Sequence, residues 1–149
     1  MPKEIYYDQV NVGDKGTTPE VTVSKEMISA FADLTGDHTP VHTDEEYAKN
    51  SHFGGIVAHG LFGLSIADGL KTQADLQFPP GASLGWSWDF KGPIFVDDIL
   101  HVEFEIESMR TTKKPDWGIL FIACNLINQK GEVVQNGVHK LMIRRYPEQ

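Results

Sequence analysis

The segment GLFGLSIADGL, residues 60–70, carries apolar or small side chains on nearly every side of a helical projection. A helix with this pattern is typical of a protein core, because a helix at the surface keeps one polar face. Gly63 and Gly69 lower the intrinsic helix propensity, so contacts with the rest of the protein must stabilise this helix. The small residues would also let strands approach it closely. We therefore predict one long helix, buried in the core.

Downstream of residue 70 the period of the apolar side chains changes from that of a helix to that of a strand. Residues 99–107 alternate between apolar and polar side chains, which is typical of a strand with one buried face. Further strands are predicted for residues 17–23, 82–90, 117–127 and 133–144, with a turn at residues 128–131. Roughly five antiparallel strands around one long helix make the predicted fold class α+β.

Upstream of residue 60 the pattern predicts a second helix, a turn and a short third helix. Ser24 and Gly36 bracket apolar residues at helical spacing, as a cap and a terminator do. The proline that ends Asp37-His-Thr-Pro40 disfavours helix at the residue before it, so residues 37–40 predict a turn. Thr43 and Glu46 have the spacing of a capping box, which predicts the start of the short helix.

Length and charge limit the class of protein. The chain has 149 residues, which suits one domain spanning residues 1–149. The formal net charge of −8 argues against nucleic acid or an anionic membrane as a partner, since both favour a basic surface. No apolar run is long enough to span a bilayer, and residues 1–10 lack the layout of a signal peptide. We therefore expect a cytoplasmic protein that begins near Met1.

Cysteine and histidine usage predicts neither a disulfide nor a metal site. Cys124 is the only cysteine, and it lies in the apolar run of residues 119–124, where a small buried hydrophobic residue is expected. Four histidines show no shared spacing of metal ligands: His38, His52, His101 and His139.

Asp37 and His42 are the pair of residues with the clearest potential for chemistry. They lie on either side of the predicted turn, so a rigid turn can aim both side chains at one water molecule. A carboxylate and an imidazole placed in this way can take a proton from water and deliver one elsewhere. The spacing alone also fits a second interpretation, because an aspartate after a glycine at a helix end is commonly a turn residue.

Three ordered motifs carry a resemblance to a known family. The run LTGDHTPVH, residues 34–42, followed by Ala48, resembles the hydratase signature of the MaoC-like, (R)-specific enoyl-CoA hydratase family. The run IVAHG, residues 56–60, resembles the second motif of that family, which opens its central helix. The run KGPIFVDDIL, residues 91–100, is similar to its third recurring stretch. The resemblance covers nearly the whole chain.

The resemblance implies the hot-dog fold, in which an antiparallel sheet wraps around one long helix, as a homodimer or a dimer of dimers. It also implies a reversible hydratase or dehydratase that adds water to a trans-2-enoyl-CoA thioester to give a 3-hydroxyacyl-CoA. The acyl-CoA thioester is the expected partner. CoA is part of that substrate, and no separate cofactor is expected.

The same resemblance assigns site residues. Asp37 and His42 would act on the water, and the backbone N–H of Gly60 would stabilise the thioester oxygen. The substrate-binding candidates are Thr39, His59, Ser65, Asp68 and Lys91. His59 is also expected to be a structural, hydrogen-bonded residue. The phosphates of CoA could meet Lys91, Lys113, Lys114 or Arg144.

Two departures from the family pattern leave alternatives open. Thr39 stands where the family commonly has asparagine, and Asp68 stands where polyester-pathway hydratases carry serine on the central helix. Hot-dog thioesterases often activate water with a carboxylate on that helix, so Asp68 keeps an acyl-CoA thioesterase open. Asp68 equally fits a solvent-facing residue. A non-catalytic acyl-CoA-binding subunit would share the fold without needing the Asp37, His42 and Gly60 set.

Overall fold

A computed structural model describes residues 4–147 of the chain. The strands are β1 Lys15–Thr17, β2 Val21–Thr22, β3 Ala82–Phe90, β4 Ile99–Thr111, β5 Trp117–Ile127 and β6 Val133–Arg144. The helices are α1 Lys25–Thr35, α2 Pro40–Thr43, α3 Glu45–Lys49 and α4 Gly60–Lys71, and a 3₁₀ turn covers Tyr7–Gln9. The predicted single domain of residues 1–149 stays a prediction, and its ends, residues 1–3 and 148–149, lie outside the described residues.

The sheet is antiparallel, with strands in the order β1-β4-β5-β6-β3, and β2 also pairs with β4. The predicted bounds of β3, β5 and β6 are confirmed. Strand β4 continues past residue 107 to Thr111, and the strand predicted for residues 17–23 is instead two short strands, β1 and β2. Strand β4 places alternate apolar side chains toward the core, as the alternation of residues 99–107 predicted, and β5 is buried along most of its length, as its fuller apolar run predicted.

Helix α4 lies against the sheet with only one of its faces buried. Phe62 and Ala67 are in the core, whereas Leu61 is 61% exposed. Ser65 and Asp68 also face solvent. The prediction that this helix is buried on all sides is therefore wrong for a single chain, because the sheet covers one face and nothing in residues 4–147 covers the other.

The ends of α1 follow their predicted chemistry. The Ser24 hydroxyl accepts a hydrogen bond from the backbone N–H of Met27 at 3.1 Å. Gly36 ends the helix with a φ of 82°, a conformation that glycine adopts without steric cost. The capping box predicted at Thr43 is wrong. Asp44 caps α3 instead, accepting from the N–H of Tyr47 at 3.1 Å, and Thr43 closes the preceding helix α2.

Cys124 lies on β5 and is 1% exposed, which confirms the prediction of a small buried residue. Burial raises the pKa of its thiol to about 11, so the thiol is neutral near pH 7. None of the helices within residues 4–147 has the length and apolarity that crossing a membrane requires.

Two glycine-to-alanine changes should have opposite effects on stability. Gly36→Ala forces a side chain into the left-handed region and should cost about 1 kcal/mol of unfolding free energy. Gly69→Ala is its matched control, since Gly69 lies in α4 with open space around it, and should add about 0.5–1 kcal/mol. Urea unfolding followed by circular dichroism measures both. Equal effects of the two changes would contradict the role assigned to Gly36.

Candidate active site

The carboxylate of Asp37 is held by the turn that follows α1. Its Oδ1 accepts hydrogen bonds from the backbone N–H and the hydroxyl of Thr39, at 3.1 and 2.6 Å. The N–H of Asp37 donates to the hydroxyl of Thr35 at 3.3 Å. The predicted turn thus fixes the direction of the exposed Asp37 side chain, because Thr39 donates both hydrogen bonds to its carboxylate.

These contacts lower the pKa of the Asp37 carboxyl below its usual value. The hydroxyl of Thr39 contributes most, followed by the backbone N–H of the same residue, while His59 and His42 contribute smaller electrostatic effects. Asp37 is therefore a charged hydrogen-bond acceptor at neutral pH.

His42 lies on α2 and is oriented by the segment that leads into α4. Its Nδ1 lies 2.6 Å from the backbone oxygen of Val57. A carbonyl oxygen can only accept, so Nδ1 carries the proton, and Nε2 of the neutral ring holds a free lone pair. His42 thus has one ring nitrogen used for orientation and the other available for chemistry.

His59 connects the two candidate catalytic residues. It is 4% exposed, its Nε2 donates to the backbone oxygen of Asp37 at 2.9 Å, and its ring stacks on that of His42 with centroids 3.8 Å apart. Its Nδ1 is buried without a partner within the described residues. The expected structural, hydrogen-bonded role fits this geometry, and the residue directly precedes α4.

One ligand-type atom from each of Asp37, His42 and His59 lies within 4.8 Å of the others. The sequence predicted no metal site, whereas these three groups are close enough to bind one metal ion. The same convergence of acceptors can hold and deprotonate a water molecule.

Gly60 begins α4 beside this cluster. A Cβ at Gly60 would lie 2.6 Å from the ring of Phe90, so the absent side chain makes room for that ring and not only for a ligand. The side-chain amide of Gln135 donates to the Gly60 oxygen at 2.9 Å, and Gln135 in turn accepts from the indole of Trp88 at 2.8 Å. The start of the helix is thereby tied to β6 and β3.

The remaining candidates are distributed along the chain. Lys91 follows Phe90 directly, and its ammonium lies 3.9 Å from the Asp89 carboxylate. The Ser65 hydroxyl donates to the Leu61 oxygen at 2.8 Å within α4, and Asp68 lies further along the same exposed face. The structure does not bring the other basic candidates to Gly60 within one chain: Lys113 and Lys114 lie in the β4–β5 connection, and Arg144 ends β6 at that same edge.

The residues that support the site from a distance were not predicted from the sequence. Val57, Gln135 and Phe90 each contact a candidate residue that is distant along the chain, and Trp88 in turn holds Gln135. Gln135 directly follows two valines at the start of β6, and an amide that is buried there needs partners. Nothing in the sequence indicated which partners those were.

Comparisons with known proteins agree with the motifs. A family model described as MaoC like domain matches residues 9–119. The 3-hydroxybutyryl-CoA dehydratase of Methylorubrum extorquens is 26% identical over 70% of this chain and 66% of its own length. The (R)-specific enoyl-CoA hydratase of Aeromonas caviae is 32% identical over 74% of this chain and 78% of its own length.

A solved structure, that of a MaoC-like dehydratase from Rhodospirillum rubrum, superposes with a TM-score of 0.86 at 30% identity, covering 97% of this chain and 99% of that one. The α+β hot-dog fold implied by the sequence resemblance is thus confirmed.

Thr39→Val should raise the pKa of Asp37 toward its usual value, because it removes the hydroxyl donor that lowers this pKa most. The carboxylate would then take up a proton at higher pH. Carbon-13 NMR titration of the Asp37 side chain measures this. Thr35→Val is the control, since Thr35 contacts only the backbone of Asp37, and a shift of equal size in both variants would contradict the assignment.

Proposed function

Because the chain belongs to the MaoC-like domain family, we propose that it is a hydro-lyase acting on acyl-CoA thioesters. The reaction is the reversible addition of water to a trans-2-enoyl-CoA, giving an (R)-3-hydroxyacyl-CoA. One observation carries the proposal: Asp37 and His42 both present proton acceptors beside the first turn of α4. Relatives named as hydratase and dehydratase support the reaction class.

The mechanism begins with a water molecule held by two acceptors. The carboxylate of Asp37 and Nε2 of His42 accept its two hydrogens and direct the water oxygen at the β-carbon of the substrate. A bond forms between that oxygen and the β-carbon, one of the two groups takes a proton from the water, and the α-carbon receives a proton from the same site. Dehydration runs through the same steps in reverse.

Negative charge develops on the thioester oxygen as the β-carbon is attacked. The first N–H groups of a helix have no partner within the helix and lie at the positive end of its dipole. Gly60 supplies such a group at the start of the twelve-residue helix α4. A donor of this kind contributes about 3–4 kcal/mol to transition-state stabilisation.

Thioester hydrolysis is not the reaction that this geometry favours. The carboxylate that could activate water for it, Asp68, lies eight residues after Gly60 on α4, about 12 Å along the helix axis. Two assays on one preparation separate the reactions. Release of free thiol measures hydrolysis, and loss of the conjugated enoyl absorbance measures hydration.

We also propose a homodimer or a dimer of dimers. Leu61 is exposed on the open face of α4, and β3 leaves one strand edge unpaired within residues 4–147. Both features favour a second copy as the covering surface.

Light scattering should therefore give at least twice the 16.6 kDa of one chain. Leu61→Glu should shift the protein toward the monomer, because it places a charge on the covered face. Val12→Glu is the matched control, since Val12 is also 61% exposed but lies away from α4. A monomer at micromolar concentration for the unaltered chain would contradict the proposal.

Asp37→Asn should nearly abolish hydration and leave the fold intact, because asparagine keeps the size but loses the charge and basicity. His42→Ala should lower turnover by about a hundredfold to ten-thousandfold. If both groups act on one water, the double variant should be about as slow as the slower single variant. Turnover and melting temperature are measured for all three.

Asp33→Asn and His38→Ala are the matched controls, because this exposed pair lies next to the site, 3.6 Å apart, and has no part in the mechanism. Both controls should keep near-native turnover. A folded Asp37→Asn protein that hydrates enoyl-CoA at the native rate would remove Asp37 from the mechanism.

A further inference from the structure

A second pocket lies at the opposite end of α4 from Gly60. Its volume is about 340 Å³, within the range of small-molecule sites. Lys71 is eleven residues from Gly60, about 16 Å along the helix axis, so the pocket is separate from the candidate active site within one chain. Its apolar lining consists of Phe78, Pro79, Pro80, Phe104 and Leu141, and its polar lining includes Lys71, Ser83 and His139.

Lys71 brings a buried positive charge to the wall of this pocket. The residue is 9% exposed, and within residues 4–147 no carboxylate lies within 4.0 Å of its ammonium. Burial lowers the pKa of Lys71, and the carboxylate of the exposed Asp68 opposes that lowering without forming an ion pair. The nearby Cys124 and His139 supply no negative charge, because burial raises the pKa of the Cys124 thiol to about 11 and lowers the pKa of His139 to about 3. Buried charges in proteins are normally paired, so this one is suited to an anion from outside the chain.

A short chain of hydrogen bonds leads from Lys71 to the pocket surface. The Lys71 ammonium lies 2.6 Å from Nδ1 of His139, and Nε2 of His139 lies 2.6 Å from the hydroxyl of Ser83. An ammonium can only donate, so Nδ1 accepts and Nε2 carries the ring proton. Nε2 then donates to Ser83, whose own hydroxyl hydrogen is free to donate into the pocket. The pocket therefore offers donors, from Lys71 and from Ser83.

The Ser83–His139 contact is not half of a hydrolytic triad. In such a triad a carboxylate accepts from Nδ1 of the histidine, which leaves Nε2 free to take the serine proton. Lys71 imposes the opposite tautomer, so His139 cannot act as a base toward Ser83. The arrangement is built to bind and not to activate a nucleophile.

We propose that this pocket binds a carboxylate carried on a short apolar skeleton. The carboxylate accepts from the ammonium of Lys71 and the hydroxyl of Ser83, and the skeleton packs against the apolar lining. Glu4 and Asp68 also line the pocket, and both are exposed, where solvent weakens their repulsion of a single negative charge. They disfavour ligands that carry several negative charges there.

The first test compares hexanoate with hexanamide, which has the same shape but no charge, by NMR titration of the 149-residue protein. Hexanoate should bind about tenfold more tightly, because its charge meets the ammonium. The shifts should centre on the indole of Trp86, whose ring stacks on His139 at 4.0 Å between centroids. This comparison needs neither a variant nor hydratase activity, so its failure is distinct from failure of the proposed function.

Two variants test which residues cause the preference for hexanoate over hexanamide. Lys71→Met should bring the ratio of the affinities for hexanoate and hexanamide close to one. Continued binding of hexanamide by this variant would show that the pocket is intact. Ser83→Ala, at an exposed position, should weaken hexanoate binding about threefold. Lys130→Met, an exposed lysine outside the pocket, is the control and should keep the full preference. If Lys71→Met does not fold, the Ser83→Ala comparison still tests the site.

The carboxylate could belong to a free acid or to the far end of an acyl thioester. Binding of adipoyl-CoA and dodecanedioyl-CoA is therefore compared with that of hexanoyl-CoA and dodecanoyl-CoA, all of which are saturated and cannot be hydrated. Preference for the free acid alone identifies a separate ligand, and preference for the carboxylated thioesters identifies the acyl end. Equal affinity in every pair, or a preference that persists in folded Lys71→Met protein, overturns the proposal.

Discussion

The close packing of α4 against β3 and β6 is the constraint on which the rest of the molecule depends. Gly60 leaves room for the ring of Phe90, and Gly63 leaves room for the side chain of Gln135. Gln135 then holds the first carbonyl of the helix. A larger side chain at either glycine would have to displace a strand residue, so the position of the helix start is fixed by the sheet.

The candidate catalytic segment takes its position from the same helix start. Val57 and His59 lie immediately before α4, and they bind His42 and the backbone of Asp37, respectively. Asp37 and His42 therefore have little freedom relative to the N-terminus of α4. Proximity of this kind contributes to catalysis only when the groups are held in place, and here the support comes from backbone carbonyls and a buried imidazole.

The elements with regular local patterns were predictable, and the contacts between distant residues were not. Strands β5 and β6 follow from the runs of apolar residues and the turn between them, and Gly36 follows from its place after α1. Thr43 and Asp44 are both good caps, and sequence spacing alone could not choose between them. The apolar pattern of residues 60–70 could not distinguish a face covered by the sheet from a face left open for another surface.

Within the candidate site, Asp37 and His42 could be predicted from the motif. The contact of His59 with Asp37 could be seen only in the folded structure, because the two residues are 22 positions apart in the chain. The Lys71–His139 contact spans 68 positions and had no sequence signal. Burial disfavours the charged form of Lys71 and so lowers its pKa, while the carboxylate of Asp68 opposes that lowering. Lys71 is the last residue of α4, where the negative end of the helix dipole favours a cation. One helix thus favours negative charge at its start and a cation at its end, so the end of α4 favours the charged form of Lys71, on which the proposed carboxylate pocket depends.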